Sequence, residues 1–273
     1  MNYLDSRANK VTTERLRQMK QQGKKISCIT AYDALFARIF EEAGIDLILV
    51  GDSLANIFQG KETTLSVTLE EIIYHTKAVK MKTNRPLVVA DMPFMTYQIN
   101  PDEALKNAGI LLKETSCDAV KLEGCTPKII KAIEYMDETG IPVMGHLGLT
   151  PQSINKFGTY RARGVEKDEA DKIIEDAIKL EKAGVFAIVL EKIPATLAEK
   201  ITNCLSIPTI GIGAGKYCDG QIIVYADMLG INIDFHPRFV RKYANLYDII
   251  KNAVIDYSND VTNSNFPSDN ESY

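Results

Sequence analysis

The stretches Glu42-Ala43-Gly44-Ile45-Asp46-Leu47-Ile48-Leu49-Val50 and Lys182-Ala183-Gly184-Val185-Phe186-Ala187-Ile188-Val189-Leu190 share one grammar: a helix end, a glycine stop, then an apolar strand. Glycine takes the left-handed conformation that closes a helix without a Cβ clash. A strand that is apolar on both faces belongs to a parallel sheet covered by helices on each side. Working outward, eight such runs are found, at 26–32, 46–50, 86–90, 118–122, 141–145, 186–190, 207–212 and 221–226. Pro86, Pro142 and Pro208 sit at the start of three of them, as first or second residue, where a missing N–H breaks no interior ladder bond. Helical spacing of apolar residues fills 69–82, 101–114, 127–138 and 168–182 between them. Eight strands with intervening helices predict an α/β chain forming a (β/α)8 TIM barrel, with a doubly wound open sheet as the alternative.

An additional N-terminal helix at 12–20 precedes the first strand and is placed to close the barrel bottom, and one at 246–255 finishes the ring. Residues 1–257 are therefore expected to form a single catalytic barrel domain. Residues 258–273 are expected to be a polar C-terminal tail without fixed structure, because Ser, Asn and Asp dominate there.

Composition narrows the function. The 273 residues are 45% hydrophobic and 25% charged, ample for a large core. A net charge of -4 supplies no basic field for nucleic acid or anionic lipid. The chain has no apolar run long enough to span a bilayer, and Met1-Asn2-Tyr3-Leu4-Asp5-Ser6-Arg7 lacks the apolar core of a signal peptide, so a cytoplasmic protein is expected. Cys28, Cys117, Cys125, Cys204 and Cys218 form no C-x-x-C pair and read as reduced and mostly buried.

In such a barrel the chemistry emerges at the carboxyl ends of the strands. Here those ends are polar on five consecutive strands: Gly51-Asp52-Ser53, Asp91, Lys121 with Glu123, His146, and Glu191. Asp52, Asp91 and Glu123 offer hard oxygen ligands suited to Mg2+, although single carboxylates at strand ends also cap helices. Lys121 and Glu123, two apart, share a face. Lys121 could neutralise an anionic substrate, form a Schiff base with a ketone, or sit in a buried ion pair with Glu123 or Asp91. Glu191 follows an apolar run that suits a carboxylate to proton transfer, or it pairs with Lys192 or Lys200. His146 either hydrogen-bonds substrate or is structural, and His75 and His236 read as structural. Gly211-Ile212-Gly213-Ala214-Gly215 fails as a dinucleotide fingerprint. It reads as a tight loop for close approach of substrate, with phosphate binding the weaker option.

The words around these residues resemble the ketopantoate hydroxymethyltransferase family. They include Ile29-Thr30-Ala31-Tyr32-Asp33, Leu49-Val50-Gly51-Asp52-Ser53-Leu54, Tyr74-His75-Thr76, Ala90-Asp91-Met92-Pro93-Phe94-Met95 and Val120-Lys121-Leu122-Glu123-Gly124. They continue through Gly145-His146-Leu147-Gly148-Leu149-Thr150-Pro151-Gln152-Ser153, Leu190-Glu191, Ile210-Gly211-Ile212-Gly213-Ala214-Gly215 and Asp219-Gly220-Gln221. Ala55, where glycine is frequent in the family, and the loop Arg161-Ala162-Arg163-Gly164 depart from the pattern.

The resemblance implies transfer of a hydroxymethyl group from 5,10-methylenetetrahydrofolate to 3-methyl-2-oxobutanoate in pantothenate biosynthesis, through a Mg2+-stabilised enolate. It assigns Mg2+ to Asp52, Asp91 and Glu123, oxoacid contacts to Asp52, Ser53, Asp91, Lys121 and His146, and the catalytic base to Glu191. It also implies a homodecamer. A Mg2+-dependent carbon–carbon lyase of a small oxoacid, a Schiff-base aldolase using Lys121 and a non-catalytic oxoacid-binding protein stand as rivals.

Overall fold

The computed structural model describes residues 10–234 and 237–273; His236 and the N-terminal segment weighed as a signal peptide lie outside the described residues. Eight parallel strands close on themselves in sequence order, excluding the open-sheet alternative. They are β1 (Ile26–Thr30), β2 (Leu47–Val50), β3 (Leu87–Asp91), β4 (Ala119–Lys121), β5 (Val143–Gly148), β6 (Ala187–Glu191), β7 (Thr209–Ile212) and β8 (Gly220–Ile223). The closing pair sets Ile26 of β1 beside Gly220 of β8. Gly220 is needed there, because a Cβ would stand 2.6 Å from the Ile26 carbonyl oxygen.

The helices among the described residues are α1 (Thr13–Gln21), α2 (Ala34–Glu42), α3 (Leu54–Ile57), α4 (Leu69–Lys80), α5 (Pro101–Thr115), α6 (Pro127–Thr139), α7 (Ile154–Phe157), α8 (Lys167–Lys182), α9 (Ala195–Cys204), α10 (Tyr225–Met228) and α11 (Leu246–Thr262). Local chemistry starts them. At α4 the Thr68 hydroxyl accepts from the Glu71 N–H and the Glu71 carboxylate accepts from the Thr68 N–H, a reciprocal cap. Asn100 and Thr126 cap α5 and α6, each with proline at the first helical position.

Inside the barrel the period-two rule runs without a break. Ile26 and Cys28, Leu47 and Leu49, Leu87 and Val89, Ala119, Met144, Ala187 and Val189, Ile210 and Ile222 form one buried cluster. Leu16 and Met19 of α1 join it, so this helix plugs the end where the strands begin. Ion pairs tie that end, among them Lys10 to Asp118 at 2.8 Å and Lys20 to Asp219 at 2.9 Å, each carboxylate lying just before a strand.

Several boundaries differ from those the sequence predicts. Pro86, Pro142 and Pro208 lie one residue outside their strands, and β5 runs three residues beyond Gly145, taking His146 into the sheet. The sequence places the eighth strand at 221–226, but it ends at Ile223 and Tyr225 opens α10. The described chain falls into two compact units that meet between Val224 and Tyr225. Within the second unit α11 continues to Thr262, beyond the 255 end that periodicity suggests and into the segment expected to lack fixed structure. The Asn263 N–H donates to the Asn259 carbonyl to close the helix, and Phe266 packs edge-on against Tyr257.

The two glycines of the opening motif carry different loads. Gly44 has φ +78° and free space around a would-be Cβ, whereas Gly184 has φ +105° and its Cβ would stand 2.5 Å from Asp137 Cγ. Gly44→Ala should cost about 1 kcal/mol of left-handed strain, and Gly184→Ala about 2–3 kcal/mol because a collision is added. Paired urea denaturation curves measure the difference, and equal losses would contradict this packing.

Candidate active site

The inward register that builds the core also builds the site. Leu87, Val89 and Asp91 point inward from β3; Ala119, Lys121 and then Glu123 follow on and after β4; Met144 and His146 on β5; Ala187, Val189 and Glu191 on β6. Each series is apolar where the strand enters and ionisable where it leaves. Asp91 and Lys121 are register partners on adjacent strands, which forces them together.

Lys121 Nζ donates to both oxygens of Asp91, at 2.7 and 2.8 Å, and lies 3.8 Å from Glu123 Oε1. The Asp52 N–H donates to Asp91 Oδ2 at 3.2 Å. His146 stands between two carboxylates: Nδ1 is 3.3 Å from Glu123 Oε1, and Nε2 is 3.3 Å from Glu191 Oε2. Neither ring nitrogen makes an aligned hydrogen bond, so charge holds the ring. Glu191 keeps 17% of its side chain exposed, against 3% for Glu123, and so forms the wet edge of the cluster.

The end of β6 is shaped to present Glu191. The Leu149 N–H donates to the Glu191 carbonyl at 2.9 Å. Gly148, its register partner, has φ +94°, and a Cβ there would run into that carbonyl oxygen. Lys192 follows with φ +47° and donates from Nζ to the Tyr160 carbonyl.

Burial sets the electrostatics. It pushes the Asp52 carboxyl up to about 8, with repulsion from Asp91 and Glu123 adding to it. It raises Asp91 too, against the pull of Lys121. Burial would raise Glu123, but His146, Lys121 and the Gln152 N–H bring it below its ordinary range. Burial opposes the charge on Lys121, yet Asp91, Glu123 and Asp52 hold the ammonium above its ordinary value. A Schiff base needs a neutral amine, so this pairing argues against that role. Burial would lower His146, but Glu123 and Glu191 lift it to about 9.

The donor chemistry suits a hard divalent cation. Three buried carboxylates outnumber the cations facing them, and the raised Asp52 registers that shortage of positive charge. Glu123 Oε1 is buried without a hydrogen-bond partner. The trio does not close on one point: among the described residues no three His, Cys, Asp or Glu side chains stand as a ready metal-binding group. Mg2+ commonly takes one or two carboxylates and fills its remaining positions with water and substrate, which this arrangement permits.

Of the residues singled out in the sequence, Asp52, Asp91, Lys121, Glu123, His146 and Glu191 are brought to this mouth. Ser53 follows Asp52, and its hydroxyl shares a 2.7 Å hydrogen bond with the Tyr32 phenol. His75 lies apart, its Nδ1 2.6 Å from the Tyr32 carbonyl oxygen. In the glycine-rich loop, a Cβ at Gly215 would collide with the Ala195 side chain, so packing there requires glycine. In the loop that departs from the family pattern, Arg163 pairs with Glu169 and stacks over Phe157.

Sequence reasoning missed Gln152 and Tyr97, both buried among the carboxylates. Gln152 lies within a quoted motif, yet a neutral amide in a turn carries no signal until its partners are known.

A closed parallel barrel with ionisable groups at the carboxyl ends of its strands defines a (β/α)8-barrel enzyme. The family model for ketopantoate hydroxymethyltransferase matches residues 10–269, and the chain belongs to that family. A 3-methyl-2-oxobutanoate hydroxymethyltransferase of Chlorobium phaeobacteroides is 57% identical over 272 residues, covering 98% of each chain. One of Bacteroides thetaiotaomicron is 52% identical over 271 residues, covering 99% of each. The crystal structure of phosphoenolpyruvate phosphomutase from Streptomyces platensis subsp. rosaceus superposes with a TM-score of 0.61 at 15% identity, over 93% of this chain and 88% of that one, which shows the shared fold.

The raised His146 has a definite sign. Its charge adds stability that is fully present below pH 6.5 and is lost as pH rises through about 9. In the metal-free protein, an NMR titration of the His146 ring should give a midpoint near 9 that falls in Glu191→Gln. A midpoint near 6.5 would contradict the double carboxylate contact.

Proposed function

We propose that the chain transfers a hydroxymethyl group from 5,10-methylenetetrahydrofolate to 3-methyl-2-oxobutanoate, giving 2-dehydropantoate. Family membership supports the reaction, and one observation in the site carries its chemistry. A partly exposed carboxylate, Glu191, faces a buried cluster whose two cations, Lys121 and His146, can receive an anionic oxoacid.

The chain's own groups divide the work. Lys121 and His146 attract the substrate's carboxylate and keto oxygens, while the Ser53 hydroxyl offers a further hydrogen bond. Asp52, Asp91 and Glu123 would hold Mg2+, which supplies Lewis-acid polarisation of the oxoacid's carbonyl when bound. Glu191 accepts the proton from C3, and the charge left on the oxygen faces the Lys121 ammonium. Water adds to the one-carbon unit of the folate and both its bonds to nitrogen break, the two nitrogens taking the water's protons, so that tetrahydrofolate and a bound formaldehyde result; the C3 carbon then bonds to that formaldehyde carbon, and the alkoxide so formed takes the proton held by Glu191.

No helix among the described residues is long and apolar enough to cross a membrane. A cytoplasmic location is proposed from the biosynthetic role of the family. A homodecamer is proposed for its assembly, as family membership implies.

Turnover of 3-methyl-2-oxobutanoate should require both methylenetetrahydrofolate and Mg2+, and turnover without the folate would favour a lyase. Glu191→Gln should slow exchange of the C3 proton in deuterated water by about 10²–10⁴-fold. Mg2+ affinity should be nearly unchanged in that variant, and normal exchange would remove Glu191 as the base.

A further inference from the structure

Gln152 sits on the turn after β5 and is 5% exposed. Its backbone N–H donates to Glu123 Oε2 at 3.0 Å, and its side-chain Nε2 donates to Asp52 Oδ2 and to the Met92 carbonyl, each at 3.0 Å. One residue thus grips two carboxylates that arrive from different strands.

The orientation of the amide follows from its partners. A main-chain carbonyl only accepts, so the group facing Met92 must be the NH2. The Tyr97 hydroxyl accepts from the Glu123 N–H at 3.1 Å, leaving its proton for Gln152 Oε1 at 2.7 Å. Gln98 Nε2 also donates to that Oε1, at 3.0 Å. Two independent constraints therefore send the amide N–H toward Asp52. Held by Oε2, Glu123 is left with Oε1 facing His146 Nδ1 and Lys121 Nζ.

We propose that Gln152 is the positioning residue of the carboxylate mouth, holding Asp52 and Glu123 at one spacing for a divalent cation, with Tyr97 fixing which way its amide points. This rests on the reading of Asp52 and Glu123 as metal-holding groups. Outer partners of this kind matter because a free carboxylate must first be ordered before it can bind, and their loss commonly weakens metal binding by about 10–100-fold.

The test uses the full-length protein and Mn2+ as the probe, with free Mn2+ read by electron paramagnetic resonance and thermal melting recorded with and without the ion. Asp52→Asn should abolish Mn2+ binding. Gln152→Leu should raise the Mn2+ dissociation constant by about 10–100-fold and shrink the Mn2+-induced rise in melting temperature. Tyr97→Phe, which removes one oxygen and keeps the core volume, should weaken Mn2+ by about threefold or more, the equivalent of one hydrogen bond. It decides the matter if Gln152→Leu does not fold. Wild-type Mn2+ affinity in Tyr97→Phe and Gln152→Leu, with binding lost in Asp52→Asn, would overturn the positioning role while leaving the metal reading intact. Wild-type affinity in Asp52→Asn would overturn the metal reading itself, and the positioning role with it.

Discussion

Asp91 is completely buried, and Lys121 grips both its oxygens. Removing one partner of such a pair leaves an uncompensated charge in the interior, at a cost of about 3–5 kcal/mol. The rest of the mouth is arranged around that constraint. Register places the two groups side by side, Asp52 turns its N–H onto Asp91, and Glu123 stands beyond Lys121 within reach of His146. A charge this well enclosed cannot drift, so the ionisable groups around it inherit fixed positions.

The same enclosure explains why one residue type plays different roles. Asp91 is neutralised by a lysine, Asp52 is gripped by an amide and left short of positive charge, Glu123 is supported by an imidazole and a main-chain N–H, and Glu191 reaches toward solvent. Four carboxylates in four environments can divide attraction, cation holding and proton transfer among them, which four exposed carboxylates could not. His146 joins the inner group to the outer one, since it touches Glu123 on one side and Glu191 on the other.

The barrel's polarity, with apolar residues at the entering ends and ionisable ones at the leaving ends, also separates stability from chemistry. Leu16 and Met19 of α1 fill the closed end, and the clasps of Lys10 with Asp118 and Lys20 with Asp219 hold it. Substitutions there act on folding without touching the mouth. At the mouth, Gly148 and Lys192 accept left-handed backbone to present Glu191, a local cost of about 1–3 kcal/mol where non-glycine residues are involved.

Much of this was legible in the sequence because it is written locally. Glycine stops and proline-led apolar runs mark where the strands lie along the chain, and the ionisable residues at five strand ends mark the mouth. The last strand and the C-terminal helix were less legible: the strand ends at Ile223, and α11 runs on to Thr262 through Ser, Asn and Asp that composition reads as a tail. Pairing was decided only by closure of the barrel. Lys121 meets Asp91 across 30 residues of chain and Gln152 meets Asp52 across 100. Sequence spacing is blind to such contacts, because the strand register and the turn after β5 choose which charges share one small volume.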